Sequence, residues 1–64
     1  MSAARFKVGT VFEGDHVRGV VRRGKRIVAE TQLYPRSRPG ASIEALDEAE
    51  RMLRRILGEL AARA

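Results

Sequence analysis

The stretch VRRGKRIVAE, Val21–Glu30, sets four cations in five positions around Gly24, with apolar residues on either side. Before it, Val17, Val20 and Val21 form a valine-rich run; after it, Ile27, Ala29, Thr31 and Leu33 alternate with Val28, Glu30, Gln32 and Tyr34. β-Branched residues and period-two alternation around a glycine break are the pattern of a β-hairpin. Strands are expected over residues 16–22 and 26–34.

Outward from that hairpin, Phe6, Val8, Thr10 and Phe12 alternate with Lys7, Gly9 and Val11, giving a first strand over 5–12. Gly14 and Asp15 supply turn chemistry between it and the second strand. Connections this short imply an antiparallel meander. PRSRPG, Pro35–Gly40, holds two prolines and a glycine and reads as a linker over 35–41. From Ser42 the period changes. Leu46, Ala49, Leu53, Ile56 and Leu60 recur at spacings of three and four, the signature of an amphipathic helix over about 43–62, with Ser42 as its N-cap. Acidic residues lead and arginines follow, which complements the helix dipole. Asp47–Arg51, Glu50–Arg54 and Glu59–Arg63 stand at ion-pair spacing. The expected fold class is α+β, a three-stranded antiparallel sheet with one C-terminal helix packed on one face (β-β-β-α), as one domain over 1–64. Its expected core is Phe6, Val8, Phe12, Val21, Ile27, Leu33, Leu46, Leu53, Ile56 and Leu60.

A chain of 64 residues buries only about 60% of the surface it exposes when unfolded, so a partner copy would help it. The helix stripe and the two open sheet edges each offer a route to a homodimer. With no cysteine there is no disulfide and no thiolate, and His16 alone cannot build a metal centre. No metal and no cofactor are expected. Apolar runs stop at three residues, and MSAARFK has no secretory pattern, so a soluble cytoplasmic protein is expected, with no membrane partner.

The net charge is +5 and is unevenly spread. Residues 1–40 carry nine cations against three anions, and residues 41–64 carry four against five. This asymmetry favours an anionic partner, nucleic acid or an acidic protein surface. The hairpin register decides where the cations point. A three-residue loop, Arg23–Gly24–Lys25, sets Arg22 against Arg26 and Val21 against Ile27. It turns Arg18, Arg22 and Arg26 onto the open face with Lys7, Gln32 and Tyr34. A turn made of Arg23–Gly24 alone sets Val20 against Ile27 and scatters the arginines, but it places an arginine where positive φ is needed. The first register is therefore expected. The candidate nucleic-acid-binding residues are Arg18, Arg22, Arg23, Lys25, Arg26, Gln32 and Tyr34, with Arg36 and Arg38 reaching phosphates from the linker. The competing explanations are solubilising charge on an exposed sheet and an acidic protein partner. One tyrosine and two phenylalanines make a poor stacking platform, which favours duplex over single-stranded ligands.

Enzymatic roles lack parts. Asp15 and His16 are adjacent on a turn and point apart, Ser2, Ser37 and Ser42 have no base beside them, and the helix carboxylates are interleaved with arginines. A non-enzymatic module is expected.

The order GKRIVAETQLY, linker, SIEALDEAERMLRRIL resembles the arm-type DNA-binding domain of phage-type tyrosine recombinases. The likeness rests on Gly24–Lys25, the strand that follows, and Glu48–Ala49, and covers roughly residues 5–60. It implies a sheet laid in the DNA major groove, with Arg18, Arg22, Arg26 and Gln32 as readers. Ile27 stands where that family usually has an aromatic residue. The same outline resembles compact β-β-β-α antitoxins, and a small phage-encoded inhibitor is a further alternative. These imply the alternative function, an antagonist bound to an acidic or nucleic-acid-binding surface of a partner protein.

Overall fold

The computed structural model describes residues 5–63. Ser2 and the first part of the stretch read for a secretory signal lie outside the described residues. The elements are β1 (Phe6–Glu13), β2 (His16–Arg23), β3 (Arg26–Glu30), β4 (Tyr34–Pro35) and α1 (Ala41–Arg63). β2 is central, antiparallel to β1 on one side and to β3 and then β4 on the other, and α1 covers one face. The α+β fold class is that expected.

Both hairpins turn through two residues. Glu13 pairs with His16 around Gly14–Asp15, and Arg23 pairs with Arg26 around Gly24–Lys25. In each, the first loop residue is a glycine at positive φ, 57° at Gly14 and 63° at Gly24. That is where a type II′ hairpin turn needs glycine. The second hairpin therefore follows neither register weighed above. Arg22 faces Ile27 and Val21 faces Ala29, with Val28 bulged between them. The extra residue resets the alternation of β3.

The third strand is interrupted rather than continuous over 26–34. Thr31 leaves the ladder but stays tied to β2: its N–H donates to Gly19 O, and its Oγ1 accepts from Gly19 N, each at 2.9 Å. Tyr34 and Pro35 then rejoin beside Val17 and His16. Pro35 belongs to this short strand and not to the linker.

The helix begins two residues earlier than expected. Gly40 O accepts the first helical bond from Glu44 N (2.9 Å), so Gly40, not Ser42, occupies the cap position. Of the three expected ion pairs along α1, Asp47–Arg51 forms; among the described residues, Glu50–Arg54 and Glu59–Arg63 do not.

The core is made of small side chains. Val17, Val20, Val21, Ala41, Ala45 and Ala49 are buried, whereas Phe12, Ile27, Leu33 and Leu60 of the expected core are exposed. Gly19 explains the substitution. A Cβ built there would collide with the Ala45 carbonyl and stand 3.0 Å from the Ala49 Cβ. The bare glycine lets α1 descend onto β2, where only alanine fits beneath the helix. Among the described residues, no helix is long and apolar enough to cross a membrane.

Candidate nucleic-acid interface

The antiparallel register of β1 and β2 sorts their side chains onto two faces. On the helix side lie Phe6, Val8, Thr10 and Phe12, paired with Arg23, Val21, Gly19 and Val17. On the open side lie Lys7, Gly9, Val11 and Glu13, paired with Arg22, Val20, Arg18 and His16.

Arg18 sits on the open face as expected, but it is committed. Its Nη1 donates to Glu30 Oε1 at 2.7 Å, and its Nη2 pairs with Glu13. These carboxylates hold the guanidinium even further above the range in which it could lose its proton, the Glu13 bond most of all. Arg22, four residues along, leans across Gly9 of β1, its Nη1 3.4 Å from where a Cβ would stand. Val20 lies between these two arginines and is fully buried although it is on the open face. Arg18 and Arg22 are its neighbours along the strand on that face, where long cationic side chains are placed to cover apolar surface.

The two-residue turn places the other cations differently from the expectation. Arg26 is opposed to Arg23 on the helix-side face of the hairpin tip, so it does not share a face with Arg18 and Arg22. Arg23, Lys25 and Arg26 line a shallow concavity there, and the Arg23 guanidinium stands 5.8 Å from the Phe6 ring centroid. Arg5 belongs to the same end, because its carbonyl accepts from Gly24 N at 3.2 Å. Sequence reasoning left Arg5 out. The signal was available in the β1–β2 register, which brings residues 5–7 beside 22–24.

Gln32 and Tyr34 are not on the open face. Tyr34 packs on Val17, Ala41 and Ala45, and its hydroxyl donates to Glu48 of α1 while accepting from Gln32 Nε2 at 3.4 Å. The bond to Glu48 favours the neutral phenol and, with partial burial, raises the Tyr34 pKa above its ordinary value. Arg36 and Arg38 lie at the opposite end of β2 from the hairpin tip. Arg36 donates to Gly14 O (3.2 Å) and stands 4.9 Å from the Phe12 ring centroid, and Arg38 pairs with Glu44 at 3.1 Å.

The cations are therefore divided. At one end Arg18 and Arg38 are bound to carboxylates, and Arg36 is bound to backbone and ring. At the hairpin end stand Arg5, Lys7, Arg22, Arg23, Lys25 and Arg26, and none of the ion pairs among the described residues involves them. Two like-charged pairs are directly opposed there, Lys7 with Arg22 and Arg23 with Arg26. No protein-family model matches the chain, and neither curated proteins nor solved structures gave a match.

Proposed function

We propose that the protein is a non-enzymatic module that binds duplex nucleic acid, DNA in the first instance, through the β2–β3 hairpin tip and the adjoining open face of the sheet. The supporting observation is the pair of like-charged cross-strand contacts at the tip. Like charges opposed across strands are destabilising, so the fold alone gives no reason for them. Protection of sheet edges accounts for cations on β1 and β3, but Arg22 and Arg23 are on the central strand. An anion between the strands would turn both repulsions into attraction. A two-stranded ribbon fits the major groove, and arginine is suited to phosphate and to guanine edges. The resemblance to arm-type domains, which implies a sheet laid in the major groove, favours the same reading. In this reading Arg22, Arg23, Lys25 and Arg26 make the contacts, helped by Arg5 and Lys7, whereas Arg18, Gln32, Tyr34 and Arg38 serve the fold.

Titration of duplex DNA at several salt concentrations tests the reading. Four to six phosphate contacts give a slope of log K against log salt of about −4 to −5. Absence of binding at low salt overturns it. The exposed Ile27 and Val28 beside the tip favour a second reading, a mixed basic and apolar patch docked on an acidic protein surface. Loss of the nucleic-acid reading would leave that one standing.

A further inference from the structure

The helix has two apolar stripes, and the sheet uses one of them. Ala41, Ala45 and Ala49 are buried against β2, and half-buried Met52 and Ile56 continue that line. Ile43, Leu46, Leu53, Leu57 and Leu60 form the second stripe, roughly 100° further round the helix axis. It is on the flank opposite Glu48, the residue that holds Tyr34. Ile43 is 73% exposed, Leu57 46% and Leu60 41%, while Leu46 and Leu53 are half-buried. With Glu50 included, the positions 43, 46, 50, 53, 57 and 60 alternate spacings of three and four without a break. This is the a/d repeat of a helix that packs on another helix. Phe12, also exposed, lines the same groove as Ile43 and extends the apolar surface onto β1.

We propose that this stripe is the interface of a homodimer in which two copies of α1 pack antiparallel about a two-fold axis. Charge distribution selects a second copy, and selects its direction. The first part of α1 carries Glu44, Asp47, Glu48 and Glu50, and from Arg51 onward the helix carries Arg51, Arg54, Arg55 and Arg63 against Glu59 alone. Antiparallel pairing sets each acidic part against the basic part of the other copy and opposes the two helix dipoles. A parallel pair would stack like charge on like charge. The repeat is symmetric about its own centre, as an isologous contact requires. Ile43 meets Leu60 of the second copy, Leu46 meets Leu57, and Glu50 meets Leu53. Asp47 then stands beside Arg54 of the second copy on the outer flank, twice over. Glu50 is the one polar residue in the seam, a device that fixes register at a cost in affinity. Because α1 runs along β2 toward the hairpin, the two tips lie at opposite ends of the dimer. The inference does not depend on what the tips bind.

Sedimentation equilibrium and cross-linking test it. The wild-type protein is expected to dimerise reversibly. Leu57→Glu, at an exposed position, should give a monomer with unchanged circular dichroism. Glu50→Leu should tighten the dimer about tenfold or more. The native chain has no cysteine, so direction can be read directly. Mixed under oxidation, an Ile43→Cys chain and a Leu60→Cys chain should cross-link to each other in preference to themselves. A wild type that stays monomeric at millimolar concentration overturns the proposal. So does a Leu57→Glu protein that still dimerises, or self-cross-linking of each cysteine variant.

Discussion

Arg23 and Arg26 are directly opposed partners across the turn that joins β2 to β3, two guanidinium groups with no carboxylate bound to either among the described residues. Replacing both with alanine should separate binding from folding. Affinity for duplex DNA should fall, and the salt slope should shrink by about two, one for each lost phosphate contact. The thermal midpoint should hold or rise, because a repulsion has been removed. A fall in stability matching the fall in binding would mean that these arginines are structural.

Arg18→Ala should do the reverse. This residue binds Glu13 and Glu30 and flanks buried Val20, so its loss leaves two carboxylates unpaired and removes a neighbour of a core valine. Thermal stability should drop, while affinity measured well below the midpoint should stay within about twofold of wild type if the tip alone makes the contacts. Unchanged melting with weakened binding would restore Arg18 to the interface.

Much of this fold is legible in the residues. Alternation from Phe6 to Phe12, valines from Val17 to Val21 and the change of period after Ser42 locate every main element to within two residues at most ends. The interior is another matter. Hydrophobicity ranks Phe12, Ile27 and Leu33 above Ala45 and Ala49, yet distance to the backbone decides which of them is buried. Gly19 lets the helix so close that large side chains are displaced to the rim. The recurrence of alanine at 41, 45 and 49, opposite a strand glycine, is the trace this leaves in the chain. The hairpin register was also readable, since Gly24–Lys25 repeats the Gly-first turn of Gly14–Asp15. The bulge at Val28 leaves no such trace. It changes the faces only of Ala29 and Glu30, whereas Arg26 takes its face from the turn, which sets it opposite Arg23.

Gly19→Ala tests that account of the core. The added methyl meets backbone, which cannot swing aside, so either the helix lifts or the strand bends. Overpacking of this kind costs about 3 kcal/mol or more. Chemical denaturation would measure it. A loss within experimental error would show that the helix has room to spare.

Tyr34 gives the fold an alkaline limit. Its folded pKa is raised above the ordinary value of 10.0, chiefly by the bond to Glu48. The neutral phenol is thus the form the fold favours. That contribution is fully present below the unfolded pKa and is lost as pH rises through the folded one. Stability should therefore be insensitive to Tyr34 near neutrality and decline in strong alkali. Tyr34→Phe should be less stable at neutral pH and should lose this decline. As the sole tyrosine in a chain without tryptophan, its ionisation can be followed by phenolate absorbance. A titration midpoint at or below that of a free tyrosine would contradict the bond.

Two-residue turns join β1 to β2 and β2 to β3, so the pairings of those strands connect neighbours along the chain. Each hairpin can close without waiting for a distant segment to arrive, and closing short loops costs little entropy. Such local wiring makes for rapid folding. The helix, by contrast, meets β2 through residues as far apart in the chain as Gly19 and Ala45, so that contact closes a longer loop than either hairpin does.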